Sequence, residues 1–501
     1  MRKKKVTSFP TSVGLILILI FFILSCNTEK STSTSPSSSP PNLILIIADD
    51  LSWDDLGCYG HPNIKTPNID QLAEEGMRFT HAFLTTSSCS PSRSSIITGQ
   101  YPHQTDAEQL HWPLPGDRVT FTEKLQAAGY WTAQAGKWHL GDAVKDRFDQ
   151  LMEESTAGFV YKPGGETSYE TSTIDGSGCQ NWLNILKARP QDKPFFLWLA
   201  AVDPHRPYEA GSIAEPHQPE DAIVPPYLPD EPEVKADLAL YYDEVSRMDD
   251  YIGQLMEELE NQGVSDHTMI LFITDNGRPF PRDKTTLYDG GIKTPWIVRW
   301  PSQVAAGSTS SSLVSALDIA PTFLSLAGIE PGINFLGEDF SPAFQNPEAH
   351  IRDYIFAEDH WHDFEDYTRT VRDKRYKYIR NFYPDLPNTP GADALRSPTF
   401  QKMLAMKEEN TLNEAQMACF LSPRPEEELY DLETDPYELN NLAADPSFVD
   451  MLSKMRTEMD RVRTETKDEL PAKRTADEFT RDTGLPLPNR IRPRPSKAEM
   501  E

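Results

Sequence analysis

The segment Asn42–Ala48, NLILIIA, is a continuous apolar run that ends directly in Asp49 and Asp50. Such a run predicts a strand that is buried on both faces of a sheet. Two later runs repeat the pattern: 194–202 (PFFLWLAAV) is followed by Asp203-Pro204-His205, and 268–274 (TMILFIT) by Asp275-Asn276-Gly277. Ligands bind outside the carboxyl ends of parallel strands, so the three polar strand ends predict one shared crevice.

Helical patterns alternate with these strands, which favours a mostly parallel central sheet with helices on both faces. We expect helices near 67–75, 121–128 and 233–261, and further strands at 130–135 and 294–300. After about residue 365 the pattern changes. Residues 368–380 (TRTVRDKRYKYIR) predict short antiparallel strands with basic side chains outward, and 398–407 and 446–466 predict helices. The fold class is therefore α/β, with a smaller C-terminal α+β lobe that contains an antiparallel sheet.

The chain has 501 residues and a net charge of −29, from 48 Lys and Arg against 77 Asp and Glu. This length predicts two or more lobes. The acidity argues against nucleic acid as a partner, because neutralising phosphates requires a basic surface. Taken alone, it also argues against other polyanions. A local group of cations in an acidic body could still bind one anionic group, which favours short anionic chains or chain ends over long polymers.

The N-terminus has the organisation of a bacterial export signal. Basic residues at 2–5 precede an apolar segment at 13–24 that is too short to span a bilayer. Ile23-Leu24-Ser25-Cys26 fits a lipobox, so we expect cleavage before Cys26 and lipidation of its thiol. The alternative is ordinary secretion with an incidental cysteine. The lipid would be the only membrane attachment of an exported lipoprotein, located in the periplasm or at the outer-membrane surface.

Five segments are expected along the chain. They are a signal peptide at 1–25, a Ser/Pro-rich tether at 26–41, a catalytic domain at 42–365, an α+β subdomain at 366–470 and an extended charged tail at 471–501.

The segment 89–99, CSPSRSSIITG, carries the chemistry. It matches the signature of the formylglycine-dependent sulfatases at every defining position, and the chain resembles that family. The alternative, a Ser-rich loop before a short helix, does not explain a match of this length. The resemblance implies that a maturation enzyme oxidises Cys89 to formylglycine (3-oxoalanine), whose hydrate is the nucleophile. One hydroxyl of the hydrate can attack sulfur, and the other can expel sulfate as the carbonyl re-forms.

The position of Pro91 indicates that Cys89 begins a helix, where free N–H groups suit an oxyanion. The chain has five cysteines. With Cys26 lipidated and Cys89 converted, at most one disulfide could form. We expect Cys58, Cys179 and Cys419 to be small core residues.

The resemblance also implies a metal site. Asp49, Asp50, Asp275 and Asn276 correspond to the ligands of the family, together with residue 89. Their hard oxygen atoms suit one Ca²⁺ ion rather than Zn²⁺. A plain turn explains Asp49-Asp50 equally well when that pair is taken alone, but the second pair at another strand end favours a metal.

Residues 136–141, GKWHLG, match a second signature of the family. By this resemblance, Lys137 binds sulfate oxygens and His139 accepts a proton from the hydrate. Arg93 hydrogen-bonds the hydrate and helps to hold the metal site. His205 is the general acid at the leaving oxygen.

Two lysines could supply the remaining cation of the site, Lys284 and Lys293. Family members carry a basic residue several positions before a Tyr-acidic-Gly-Gly turn, which is residues 288–291 here. This spacing selects Lys284 and leaves Lys293 with a supporting or structural role.

Within the family, the chain is most similar to the heparan N-sulfatase (sulfamidase) branch, over most of residues 42–470. The shared motifs include DPHR at 203–206, RMD at 247–249, SPTFQ at 397–401 and ELYD at 428–431. The chain departs from this branch at Lys284, where the N-sulfatase carries Arg, and the two side chains are not interchangeable at an anion site. Both O-sulfate and N-sulfate are therefore candidate substrates.

The implied function is hydrolysis of sulfated oligosaccharides or polysaccharides, in polysaccharide degradation. Loops at 100–117, 206–230 and 358–367 are expected to set specificity, together with the C-terminal lobe. The candidate glycan contacts, each of which could instead be a surface or packing residue, are His103, His111, His360, Trp361 and His362.

Two other functions stay open. The first is a phosphate or phosphonate ester hydrolase on the same scaffold, although such phosphodiesterases usually hold two metals and this chain offers ligands for one. The second is a glycan-binding lipoprotein without turnover. Against it stands the joint presence of the residues expected to be catalytic: Cys89, Lys137, His139, His205 and Lys284.

Overall fold

The computed structural model describes residues 39–154, 158–161, 167–170 and 175–488. The expected signal peptide, the lipidation site at Cys26, most of the tether and the end of the tail lie outside the described residues. Within the described residues, no helix combines the length and the hydropathy needed to cross a membrane.

The described residues form fourteen strands and eleven α-helices. The strands are β1 (Asn42–Ala48), β2 (Met77–Phe83), β3 (Trp131–Lys137), β4 (Gln150–Glu154), β5 (Gly158–Tyr161), β6 (Thr167–Glu170), β7 (Phe195–Ala200), β8 (Thr268–Thr274), β9 (Ile297–Arg299), β10 (Ser308–Ser315), β11 (Ile355–Asp359), β12 (Thr368–Arg372), β13 (Tyr376–Asn381) and β14 (Glu427–Asp431). The helices are α1 (Pro67–Glu74), α2 (Cys89–Thr98), α3 (Phe121–Ala127), α4 (Trp182–Ala188), α5 (Pro232–Asn261), α6 (Asp289–Ile292), α7 (Ile319–Leu326), α8 (Ala392–Leu395), α9 (Pro398–Glu408), α10 (Glu414–Met417) and α11 (Val449–Thr466).

The largest sheet has eight strands in the order β10-β2-β9-β8-β1-β7-β3-β4. Strand β1 pairs in parallel with both β7 and β8, so that Ile47 lies opposite Ala200 on one side and Ile273 on the other. Every residue of these three strands is buried. The parallel register brings their carboxyl ends to one edge of the sheet, as the apolar runs predict.

Helices cover both faces of this sheet. Side chains of β1 alternate between two apolar clusters, with Ile44 and Ile46 in one and Leu43 and Leu45 in the other. The first cluster includes residues of α1, α4 and α5, and the second includes residues of α2, α3 and α7. A strand covered on both sides has no polar face, which explains the unbroken apolar sequence of β1.

Several strands of the large sheet differ from the sequence prediction. The run at 294–300 forms only β9, and this strand is antiparallel to both of its neighbours, β2 and β8. Strand β10, with the sequence STSSSLVS, was not expected from an apolar run. It is an edge strand that pairs with β2 alone, so it does not need the composition of a doubly covered strand.

A second, antiparallel sheet has the order β11-β12-β13-β14. Its first strand precedes residue 366, where we expected the C-terminal subdomain to begin. Helix α11 packs on this sheet, with Met455 and Met459 against Val371 and Tyr378. The fold class is confirmed: a mostly parallel sheet flanked by helices, with a separate antiparallel sheet toward the C-terminus.

The expectation that the basic side chains of 368–380 point outward is wrong for Arg369, Arg372 and Lys377, which are buried. Each is close to a buried or nearly buried carboxylate, and ion pairing offsets the cost of removing the charges from water. The pairs are Arg369–Asp468 at 2.7 Å, Arg372–Asp289 at 2.7 Å and Lys377–Glu438 at 2.8 Å. Asp289 lies in α6, so the second of these pairs ties the C-terminal sheet to the larger part of the protein.

The described part of the expected tail, 471–488, contains no helix or strand. It packs on the segment that follows β11: Phe479 contacts Phe364, and Trp361 Nε1 donates to the Ala476 carbonyl at 3.0 Å. The described cysteines, which are Cys58, Cys89, Cys179 and Cys419, are free thiols; Cys58 is partly exposed and the other three are buried.

The Arg369–Asp468 pair provides a test of this packing. Arg369→Ala removes a guanidinium that donates to both oxygens of Asp468 and leaves that carboxylate buried with fewer partners. We expect the free energy of unfolding to fall by about 3 kcal/mol. Arg474→Ala is the control, because Arg474 also donates to both oxygens of one carboxylate, that of Asp385, but at an exposed position. Its loss should cost less than about 1 kcal/mol. Chemical denaturation measures the free energy of unfolding of both variants. If Arg369→Ala and Arg474→Ala lose equal amounts, the buried pair does not stabilise the protein more than the exposed one.

Candidate active site

The polar ends of β1 and β8 meet at the edge of the large sheet. Asp49 and Asp50 follow β1, Asp275 and Asn276 follow β8, and the side chains of all four are fully buried. The Asp50 N–H donates to Asp275 Oδ1 at 3.3 Å, and the Asp49 N–H donates to the Asp203 carbonyl beyond β7 at 3.0 Å. The crevice expected from the three strand ends is therefore present.

Cys89 is the first residue of α2 and is 2% exposed. Its Sγ lies 3.8 Å from Asp50 Oδ1. Ligand atoms of Asp49, Asp50, Cys89 and Asp275 all lie within 4.8 Å of one another. Residue 89 is thus held beside the carboxylates and at the end of a helix where backbone N–H groups lack partners within the helix.

This group of side chains fits a divalent cation. Asp49 Oδ1 and Asn276 Oδ1 are buried, and neither accepts a hydrogen bond from the residues that the structure describes. Buried oxygens without a donor are costly, and a cation would satisfy them. The donors from the strand ends are all carboxylate or amide oxygens, which is the ligand type of Ca²⁺ and Mg²⁺.

Three buried cations face the three carboxylates. Arg93 Nε donates to Asp275 Oδ2 at 2.8 Å, Lys137 Nζ donates to Asp49, and Lys284 Nζ donates to Asp50 Oδ2 at 2.7 Å. Burial alone would raise the pKa of the Asp49 carboxyl, but the ammonium of Lys137 holds it below its ordinary value. Burial would likewise lower the pKa of Lys284, but Asp50 raises it well above its ordinary value. Lys284 therefore stays charged at neutral pH.

The residue before Lys137 must be glycine. Gly136 has a φ of +89°, and a side chain there would collide with the carbonyl oxygen of Ala200 in the neighbouring strand. This close approach keeps β3 paired with β7 up to Gly136, directly before Lys137. His139 follows with a φ of +59°, a left-handed conformation that is costly for a residue with a side chain.

His139 is held by a second histidine. Its Nε2 lies 2.7 Å from Nδ1 of His111, an exposed residue at the rim of the crevice. Burial, followed by the charge of His111 and Lys137, lowers the pKa of His139 well below its ordinary value. A neutral imidazole at neutral pH can accept a proton.

His205 follows β7 in the segment after Asp203. Its Nδ1 lies 2.6 Å from the Arg206 carbonyl, which can only accept a hydrogen bond, so Nδ1 carries a hydrogen. Its Nε2 lies 3.9 Å from Asp50 Oδ2 and 4.0 Å from Asp393 Oδ2. The reactive nitrogen of His205 thus faces the crevice.

The structure adds residues from the C-terminal part to the crevice. His362 Nδ1 lies 2.7 Å from the Ser88 hydroxyl, directly before Cys89, and Trp361 packs against Cys89. Asp393 lies 3.8 Å from Lys284 and near His205. Sequence reasoning named Trp361 and His362 only as possible glycan contacts and missed Asp393, which belongs to no recognisable motif.

Two candidate glycan contacts lie in a different environment. His103 Nδ1 is 2.6 Å and His360 Nε2 is 3.1 Å from the buried carboxylate of Glu358, so both histidines belong to one polar network around that residue. Lys293 is also separate from Lys284. Its Nζ lies 3.5 Å from the ring centroid of Trp53, and burial lowers its pKa to about 8.

Comparison with known proteins identifies the family to which the chain belongs. The sulfatase family model matches residues 41–329, and the model of the C-terminal region of N-sulphoglucosamine sulphohydrolase matches residues 280–417. An ulvan-active sulfatase of Formosa agariphila is 31% identical over 92% of this chain and 82% of its own length. Human N-sulphoglucosamine sulphohydrolase is 30% identical over 86% of this chain and 91% of its own length.

Solved structures share the fold. One of them, in complex with its substrate D-glucosamine-2-N,6-O-disulfate, superposes with a TM-score of 0.64 over 86% of this chain and 99% of its own, at 23% identity. The chain therefore belongs to the sulfatase family of sulfuric ester hydrolases.

Proposed function

We propose that this protein releases sulfate from sulfated saccharides, as an O-sulfatase or N-sulfatase in polysaccharide degradation. The observation that carries the proposal is the position of Cys89, at the start of α2 and beside three buried carboxylates. Relatives named for activity on ulvan and on N-sulphoglucosamine support a saccharide substrate. The nucleophile is formylglycine, formed from Cys89 by a maturation enzyme.

The cation is one Ca²⁺ ion. Asp49, Asp50, Asp275 and Asn276 would hold it together with residue 89, and their oxygen atoms match its preference for hard ligands. When bound, the ion supplies a positive charge that polarises the sulfate group.

In the first step, one hydroxyl of hydrated residue 89 gives its proton to the neighbouring carboxylate of Asp50, whose Oδ1 lies 3.8 Å from Sγ of Cys89. The oxygen of that hydroxyl forms a bond to sulfur while the bond from sulfur to the leaving oxygen or nitrogen breaks. His205 gives the leaving atom a proton from Nε2. Lys137 and Lys284 attract the sulfate oxygens, and Arg93 hydrogen-bonds the hydrate. These fixed charges favour the step because they are in place before the reaction.

In the second step, His139 accepts the proton of the other hydroxyl on residue 89. The carbonyl re-forms as the bond from carbon to the sulfate oxygen breaks, and inorganic sulfate leaves. Water then adds to the aldehyde and regenerates the hydrate. No water has to attack sulfur in this sequence.

The location that fits this function is outside the cytoplasm. We propose that Cys26 carries a lipid and that residues 26–41 tether the enzyme to a membrane, in the periplasm or at the outer-membrane surface. The basis is the lipobox-like sequence that ends in Cys26. The net charge of −29 disfavours long polyanions at the surface, so short sulfated chains or chain ends are the preferred substrates.

The proposal is tested by sulfate release from a defined panel: ulvan oligosaccharides, D-glucosamine N-sulfate, D-glucosamine 6-sulfate and the matching phosphate esters. The enzyme is produced in a host with the maturation enzyme, and the mass of the peptide that spans Cys89 is measured in the same preparation. We expect an aldehyde at residue 89 and release of sulfate but not of phosphate. Cys89→Ala should abolish release, whereas Cys58→Ala, at a partly exposed thiol outside the crevice, should not. Turnover by the Cys89→Ala variant, or an unmodified thiol in active enzyme, would contradict the proposed nucleophile.

Lys284 and Lys293 form a second test. Lys284→Ala removes the cation that contacts Asp50, and kcat/KM should fall about a hundredfold or more. Lys293→Ala removes a cation that lies over the ring of Trp53. This variant should lower the unfolding temperature and leave kcat/KM close to the wild-type value. Kinetics on one substrate and thermal unfolding of both variants decide the matter. If Lys293→Ala lowers kcat/KM as much as Lys284→Ala or more, the assignment of the sulfate contact to Lys284 is wrong.

A further inference from the structure

Asp393 is an acidic residue of the crevice that the proposed mechanism does not use. It lies in α8, a single helical turn in the C-terminal part of the chain. Its Oδ1 accepts a hydrogen bond from the Ala394 N–H at 2.7 Å, which fixes the orientation of the carboxylate. Its side chain is 12% exposed, so it is mostly shielded from water yet still accessible.

The second oxygen of Asp393 faces the catalytic groups. Oδ2 lies 3.8 Å from Lys284 Nζ and 4.0 Å from His205 Nε2, and both distances exceed that of a hydrogen bond. Lys284 donates instead to Asp50 at 2.7 Å. The 4.0 Å between His205 Nε2 and Asp393 Oδ2 leaves room for a ligand whose leaving atom meets Nε2 while a neighbouring donor meets Oδ2.

The carboxylate of Asp393 is ionised at neutral pH. Burial would raise its pKa, but the charges of Lys284 and then His205 hold that pKa well below its usual range. An ionised carboxylate accepts hydrogen bonds and donates none. It attracts hydroxyl and amino groups and repels other anions.

We propose that Asp393 recognises the leaving group of the substrate, by accepting a hydrogen bond from a hydroxyl or amino group on the sugar carbon next to the sulfated position. This inference rests on the proposed function, because His205 marks the leaving-group end of the crevice only if it is the general acid. The substrate class is then a saccharide with a free donor beside the scissile sulfate. A second sulfate or a carboxylate at that position is excluded by charge.

The test combines an enzyme variant with a substrate variant. The probes are the monosaccharide sulfate of the panel that the wild-type enzyme cleaves fastest, its analogue with hydrogen in place of the neighbouring donor, and its analogue with a neighbouring sulfate. The enzymes are wild type and Asp393→Asn, which keeps the shape and removes the charge. With the amide oxygen held by the Ala394 N–H, an NH₂ group that cannot accept a hydrogen bond takes the place of Oδ2. Asp385→Asn is the control, since Asp385 is an exposed aspartate paired with Arg474.

On the parent substrate, we expect Asp393→Asn to lower kcat/KM about tenfold to a hundredfold, the usual range for losing a hydrogen bond to a charged group. On the analogue without the donor, the same substitution should cost at most about threefold, because the interaction is already missing. The variant should also discriminate less against the analogue with two sulfates. Asp385→Asn should match wild type on all three substrates.

Equal losses on the parent and on the analogue without the donor would overturn the inference, because Asp393 would then act only on His205 or Lys284. If Asp393→Asn fails to fold, the wild-type enzyme alone still gives a result. If the wild type cleaves the analogue without the donor as fast as the parent substrate, Asp393 does not recognise the neighbouring hydroxyl or amino group. Failure of the aldehyde-containing wild type to release sulfate from any saccharide would instead overturn the proposed function, and the inference with it.

Discussion

Three buried carboxylates at one edge of the central sheet, Asp49, Asp50 and Asp275, are the constraint on which the rest of the site depends. Like charges can be buried together only when cations face them. Arg93, Lys137 and Lys284 supply those cations from a helix, a strand and a loop, so several parts of the chain must come together to form the edge. Two oxygens of this edge, on Asp49 and Asn276, still lack a donor among the described residues, which is the reason to infer a bound cation.

The same arrangement explains how an acidic protein can bind an anion. The three carboxylates and three cations of the edge balance in charge, and a divalent cation would make the crevice positive overall. An anionic sulfate group then has a local site within a chain whose net charge is −29. Asp393 adds a negative charge on the side of His205, where the leaving group would lie. Different residues would therefore attract the sulfate group and recognise the hydroxyl or amino group on the neighbouring sugar carbon.

The sequence was sufficient for the strands β1, β3, β7 and β8, the helix at Cys89 and the pairs at the ends of β1 and β8, because local apolar patterns and motifs determine them. It was not sufficient for the C-terminal part. Arg369 and Arg372 were expected to be exposed, because their partners, Asp468 and Asp289, are distant in sequence and were not recognised. Asp393 was missed for the same reason, since its role depends on how a single helical turn packs against Lys284.

The most direct test of the central claim is calorimetric titration of the chelator-treated enzyme with Ca²⁺. We expect one saturable ion per chain in the wild type and loss of that binding in Asp275→Asn, with retained folding checked by circular dichroism. Asp385 is an exposed aspartate that pairs with Arg474 and is not a ligand of the site. The control variant Asp385→Asn should therefore bind Ca²⁺ as the wild type does. Absence of saturable binding in the wild type, or equal binding by the folded Asp275→Asn variant, would contradict a cation site at the carboxyl ends of these strands.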